Sequence, residues 1–124
     1  MKTFGLINKI LLKHYQLGDL FHIEQNFRGY VNANYEFETL RYGKKYRYML
    51  RHYAETRKEE DIRFEHALLK ELKRRQFDLS PRLVNTIDNK TYLKFRSHIK
   101  TREKYDLIAV FEWLPGEDRY TWDG

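Results

Sequence analysis

Apolar residues recur along this chain with two different periods. Phe4, Ile7, Ile10, Leu11 and His14 return every three or four positions, the spacing of one helical face, and Gly18 follows as the expected stop. From Leu20 the period shortens. Residues 20–27 and 34–40 alternate as strands do, separated by the turn Arg28-Gly29-Tyr30-Val31-Asn32-Ala33. A second turn, Arg41-Tyr42-Gly43-Lys44, leads into a strand that carries Tyr46-Arg47-Tyr48-Met49-Leu50-Arg51 and ends near Tyr53. Thr56-Arg57-Lys58-Glu59 has the form of a capping box, threonine at the cap and glutamate three residues on. It predicts a helix running to about Arg75.

Pro81 precedes a predicted strand over residues 83–87, and Asp88-Asn89 is expected to turn it into another over 91–95. Residues 96–106 are polar and highly charged, which predicts an exposed loop. Leu107-Ile108-Ala109-Val110-Phe111 is the most apolar run and reads as a central strand. Leu114-Pro115-Gly116-Glu117 breaks it, and no internal repeat or low-complexity segment appears. The expected fold class is α+β: a small twisted antiparallel sheet of about five strands, one packed helix and an extra N-terminal helix.

Within the second helix one position breaks the apolar rule. Glu65 falls on the same stripe as Ile62, Leu69 and Leu72. A carboxylate buried alone is costly, so it wants a cation from a neighbouring element, and Arg51 on the preceding strand is the nearest candidate. Such a pair is open to two readings: a structural pin between helix and sheet, or a clasp that holds a cation over phosphates.

Composition narrows the field. A chain of 124 residues buries one modest core, and 41% hydrophobic with 16% aromatic residues argues against disorder. Lys+Arg 24 against Asp+Glu 18 leaves a net +6, which favours anionic ligands such as nucleotide phosphates, nucleic acid or acidic membranes. The absence of cysteine excludes disulfides and thiolate metal sites, and the 5 histidines show no paired ligand spacing. No apolar run approaches a membrane span, and Met1-Lys2-Thr3-Phe4 does not open a signal peptide. A soluble, cytoplasmic protein is the expectation, with no membrane partner. There is no Gly-x-Ser-x-Gly nucleophile turn and no phosphate-binding loop ending in Gly-Lys-Ser/Thr. Basic residues are interleaved with acids and no recognised motif appears, so nucleic-acid binding ranks last.

Three segments, taken together and in order, carry a family resemblance. They are Phe27-Arg28-Gly29-Tyr30-Val31-Asn32-Ala33-Asn34-Tyr35; Tyr48-Met49-Leu50-Arg51 with the helix containing Glu65; and Ala109-Val110-Phe111-Glu112-Trp113-Leu114-Pro115-Gly116-Glu117. The chain resembles the N-terminal lobe of the aminoglycoside phosphotransferase/choline kinase superfamily, a protein kinase-like fold, and looks closest to its homoserine kinase-like members. The resemblance implies a nucleotide-binding lobe over residues 1–117 and, over 118–124, the start of a truncated connection to a C-terminal lobe.

It further implies ATP as the nucleotide. Arg51 would contact the α- and β-phosphates with Glu65 holding it, and Met49 would roof the adenine. Gly29 would let backbone approach phosphate, with Asn32 and Asn34 shaping the turn, while the Glu112 carbonyl and the Leu114 amide would read the adenine edge. The family commonly has two glycines where this chain has Arg28-Gly29, and Val31 stands where serine is frequent. An ordinary hairpin turn, and a buried edge followed by a Pro-Gly turn, remain the alternatives for the first and third segments.

No histidine here opens a His-x-Asp-x-x-x-x-Asn loop, the family's source of base and metal ligand. The expectation is therefore an ATP-binding lobe that is inactive alone. Magnesium would be held mainly by an absent C-terminal lobe, a separately encoded one being among the partners the resemblance implies, and a small-molecule acceptor would bind in the intact enzyme. A non-catalytic protein-interaction module derived from such a lobe is the alternative.

Overall fold

The computed structural model describes residues 2–26, 33–54, 57–76, 82–96 and 105–112. In chain order the elements are α1 (Lys2–His14), β1 (Asp19–Asn26), β2 (Ala33–Arg41), β3 (Lys44–His52), α2 (Glu59–Arg74), β4 (Arg82–Val84), β5 (Leu93–Arg96) and β6 (Tyr105–Glu112). All pairings are antiparallel, in the order β1-β2-β3-β6-β4, with β5 also on β6. The class is α+β as expected, with six strands where about five were predicted.

Side-chain alternation divides the sheet into two faces. On one, Tyr48 and Leu50 of β3 and Ile108 and Val110 of β6 join Phe37, Leu20 and Leu93 under Ile7, Ile10 and Leu11 of α1. On the other, Leu107, Ala109 and Phe111 of β6 gather with Tyr53 and with Ile62 of α2, Leu69 packing alongside. The helical stripe read from sequence is thus the buried face of α2: Ile62 is fully enclosed, while Phe64 and Leu68 point outward. The run 107–111 is indeed the central strand, buried on both sides.

Three local expectations fail for identifiable reasons. Gly18 does not stop α1, which ends at His14; the final carbonyl of that helix accepts the Ile87 amide at 2.9 Å, so a distant loop supplies the cap. Gly18 instead has φ +97 and lies where an added Cβ would meet the Leu40 carbonyl oxygen at 2.5 Å. That close approach fits the neighbouring bonds, in which the Thr39 hydroxyl donates to the Leu17 carbonyl at 2.6 Å and Arg41 to the Gln16 carbonyl at 3.2 Å.

The capping box does not form either. The N-cap of α2 is Lys58, with no side-chain cap bond, and Glu59 is already helical. The Glu59 carboxylate is engaged elsewhere, by the Tyr92 hydroxyl and by Lys94 at 2.8 Å, which tie the start of α2 to β5. Thr56 lies outside the described residues.

Finally, Asp88-Asn89 does not make a β4–β5 hairpin. Val84 pairs with Val110 and Leu93 with Ile108, both on the edge of β6 away from β3. β4 and β5 therefore run the same way along β6, and residues 85–92 are an excursion closed by the Thr86 amide on the Lys90 carbonyl at 2.8 Å. The Arg41–Lys44 turn forms as expected, with Tyr42 and Gly43 at φ 51 and 75, the signature of a two-residue hairpin loop. Of residues 96–106, Arg96 ends β5 while Tyr105 and Asp106 belong to β6; residues 97–104 lie outside the described set.

Candidate functional site

The site lies on the α2 face of the sheet. Because β3 alternates, Met49 and Arg51 share that face, and Tyr53 continues it just past the strand's end. The Arg51 partners across the sheet are Asn34 on β2 and Ala109 on β6. The small Ala109 leaves room for the guanidinium, whose carbon lies 5.4 Å from the Phe111 ring centroid and 5.9 Å from that of Tyr53. Arg51 Nε donates to Asn34 Oδ1 at 3.1 Å, so Asn34 positions the arginine from within β2.

Glu65 stands over this group from the second turn of α2. Its Oε1 is 4.0 Å from Arg51 Nη1, which makes the predicted ion pair real but long. The close contacts are others: Arg57 Nη2 donates to Oε2 at 2.9 Å, and the Tyr53 hydroxyl donates to Oε1 at 2.8 Å. Burial pushes the Glu65 carboxyl up, but the Arg57 and Tyr53 hydrogen bonds and the Arg51 charge outweigh it and hold it below its ordinary value. Burial likewise lowers Arg51, against the raising effect of Tyr53 and Glu65. A guanidinium starts so high that Arg51 stays a cation.

Behind Glu65 a directed chain of hydrogen bonds reaches into the core. The phenol of Tyr53 has one proton, given to Glu65, so its contact with His66 Nε2 at 2.9 Å must be received. His66 is then the Nε2–H tautomer, and Nδ1 accepts from the Thr91 hydroxyl at 2.8 Å. Burial pushes the His66 imidazole down to about 4, which agrees with a neutral ring packed edge-on against Tyr92 and Phe111. Sequence reasoning missed Tyr53, Arg57 and His66. For Tyr53 and His66 there was a signal: Tyr53 is two residues beyond Arg51, and His66 is four beyond Ile62.

The other expected positions fall as follows. Met49 sits between Glu36 on β2 and Phe111 on β6 and is 1% exposed. Further out on its face Glu24 lies opposite Glu36, and Glu38 approaches Arg47 at 3.8 Å, so the sheet surface beside Met49 is polar. Glu112 ends β6 opposite Tyr48, which puts its side chain on the α1 face and leaves its backbone at the strand terminus. Gly29, Asn32 and Leu114 lie outside the described residues. Among the described residues no group of His, Asp or Glu could hold a metal ion. No helix among them is long and apolar enough to cross a membrane.

A strand arginine facing a helix carboxylate, on an antiparallel sheet of this order, fits a kinase-like N-terminal lobe. Residues 22–123 match the Phosphotransferase enzyme family, and the chain belongs to that family. No curated protein is matched by the chain.

Proposed function

We propose that this chain is the ATP-binding lobe of a small-molecule kinase, one that moves the γ-phosphoryl group of ATP to a metabolite hydroxyl of the homoserine, choline or aminoglycoside type. The observation that supports it is the Arg51–Glu65 pair at 4.0 Å, in a chain of the phosphotransferase family. In this reading Arg51 neutralises the α- and β-phosphates, Asn34 and Glu65 fix its direction, and Met49 lies against the base. Gly29 and Asn32 belong to the phosphate loop, and the Glu112 carbonyl and Leu114 amide take the adenine edge. The magnesium and the catalytic base come from a second lobe, because none of the histidines in this sequence opens a His-x-Asp-x-x-x-x-Asn loop. On its own the chain binds nucleotide without transferring phosphate.

The test is an NMR titration of the 124-residue chain with ATP, following backbone amides and arginine side chains. Saturable shifts at Arg51 and along β3, lost in Arg51→Ala, support the assignment. An Arg51→Ala protein that binds ATP unchanged overturns the phosphate clamp.

A second reading rests on Phe64 and Leu68, exposed by 73% and 52% one turn apart on the outer face of α2. They suit a non-catalytic interaction module. Association that depends on protein concentration and ignores nucleotide would favour it.

A further inference from the structure

The turn between β2 and β3 holds a residue that its shape disfavours. Tyr42 and Gly43 take φ 51 and 75, the two left-handed positions of a hairpin loop that prefers Asn-Gly. Glycine is at ease there, whereas a bulky side chain is strained. Burial does not offset that strain, because Tyr42 is 92% exposed, more than any other large hydrophobic residue among those described. The Arg41 guanidinium carbon stands 5.5 Å from its ring centroid. Strain kept for a side chain outside the core points to a role outside the fold.

The surroundings of the tip share its character. No acid occurs between Glu38 and Glu55, and that stretch includes Arg41, Lys44 and Lys45. All three are exposed, as is Tyr46. Phe21 of β1, 42% exposed, has its ring centroid 5.5 Å from Lys45 Nζ. Strand parity puts Lys44 and Tyr46 on the α1 face with Tyr48, and Lys45 on the opposite face with Met49. Cations and rings are therefore present on both sides of the ribbon. Arg47 is engaged by Glu38 at 3.8 Å, and Asp19 lies opposite Leu40, so both acids sit in the strands behind the turn.

We propose that the tip of the β2–β3 hairpin docks single-stranded nucleic acid, with Tyr42 as a stacking platform and Arg41, Lys44 and Lys45 as phosphate contacts. A polyanion that carries flat bases needs cations alternating with exposed rings, and the tip supplies both. A lipid surface would meet the ribbon from one side and reward aliphatic groups, yet of the exposed large apolar residues at this end only Leu40 is aliphatic. Over the whole chain acids and bases interleave, and the hairpin is where the fold gathers bases alone. The proposal is independent of the nucleotide reading, since Lys44 lies roughly 24 Å along β3 from Arg51.

The test measures fluorescence anisotropy of a labelled, mixed-sequence single strand of about twelve nucleotides with the 124-residue chain, over a series of salt concentrations. Saturable binding is expected, with a log–log salt slope of about −2 for three phosphate contacts. Lys44→Gln with Lys45→Gln should reduce that slope to about −0.7. Tyr42→Asn is the decisive variant: asparagine suits the turn, so the thermal midpoint should rise while binding weakens at least about fivefold. An unweakened Tyr42→Asn protein removes the stacking platform and overturns the proposal. So does inorganic polyphosphate of equal charge binding as tightly as the oligonucleotide, which would leave only a charged surface. Tighter binding to phosphatidylserine vesicles than to the oligonucleotide, or no saturable binding at the lowest salt, also overturns it.

Discussion

The Tyr53 hydroxyl donates to Glu65 Oε1 at 2.8 Å, linking the residue just past β3 to the middle of α2. That bond makes the position of Glu65 depend on the sheet. It also fixes the direction of every proton behind it, since a phenol that gives its hydrogen forward must receive one from His66. The carboxylate facing Arg51 and Arg57 is thus held from its inner side by a neutral network with one arrangement.

Tyr53→Phe removes the hydroxyl and keeps the ring near both guanidinium groups. The His66 Nε2–H loses its acceptor and Glu65 loses a donor, both in a largely enclosed place. Leaving a buried polar group unsatisfied costs about 1–3 kcal/mol. The expected outcome is a loss of that size in urea denaturation. A change below about 0.5 kcal/mol would show that the chain of bonds does not carry stability.

A glycine pair separates close approach from backbone conformation. Gly18 and Gly43 both have positive φ, but a Cβ on Gly18 would meet the Leu40 oxygen at 2.5 Å and Arg41 Cβ at 2.8 Å, while one on Gly43 meets nothing within 4 Å. Gly43→Ala should therefore cost only the left-handed conformation, on the order of 1 kcal/mol. Gly18→Ala adds displacement of the end of β2 and should cost clearly more. Equal losses by thermal denaturation would mean that the approach to Leu40 is easily relaxed.

The main elements were legible in sequence because their periods are clean: three to four in 4–14 and 62–72, near two in the strands. Where reading failed, the deciding partner was distant. Glu59 has the spacing of a capping box, yet Tyr92, just ahead of β5, and Lys94 within it claim its carboxylate. Asp88-Asn89 signals a turn, but a turn signal cannot say whether the chain reverses or resumes its direction; the length of β6 lets β4 and β5 share one edge. Glu65 was placed correctly by its stripe and Arg51 by strand parity. Arg57 was invisible because it lies in a loop, where no period governs direction, and it took the closer bond to Glu65.

The last prediction concerns acid. His66 has its imidazole pushed from 6.5 down to about 4, chiefly by burial, with Glu65 raising it and Arg51, Lys70 and Arg57 lowering it further. Its ordinary value applies when the chain unfolds, so between the two values the unfolded state binds a proton that the folded state refuses. Stability is then fully present above about pH 6.5 and falls as pH drops toward 4, by up to about 3 kcal/mol from this group. Glu65, also held below its ordinary value, acts in the same direction at lower pH. Urea midpoints measured from pH 8 to 4 should decline, with the onset near 6.5. In His66→Gln, which keeps a polar side chain but cannot titrate, the decline between 6.5 and about 5 should flatten even though the protein starts less stable. An unchanged pH slope in that variant would assign the acid sensitivity to the carboxylates and remove His66 from the account.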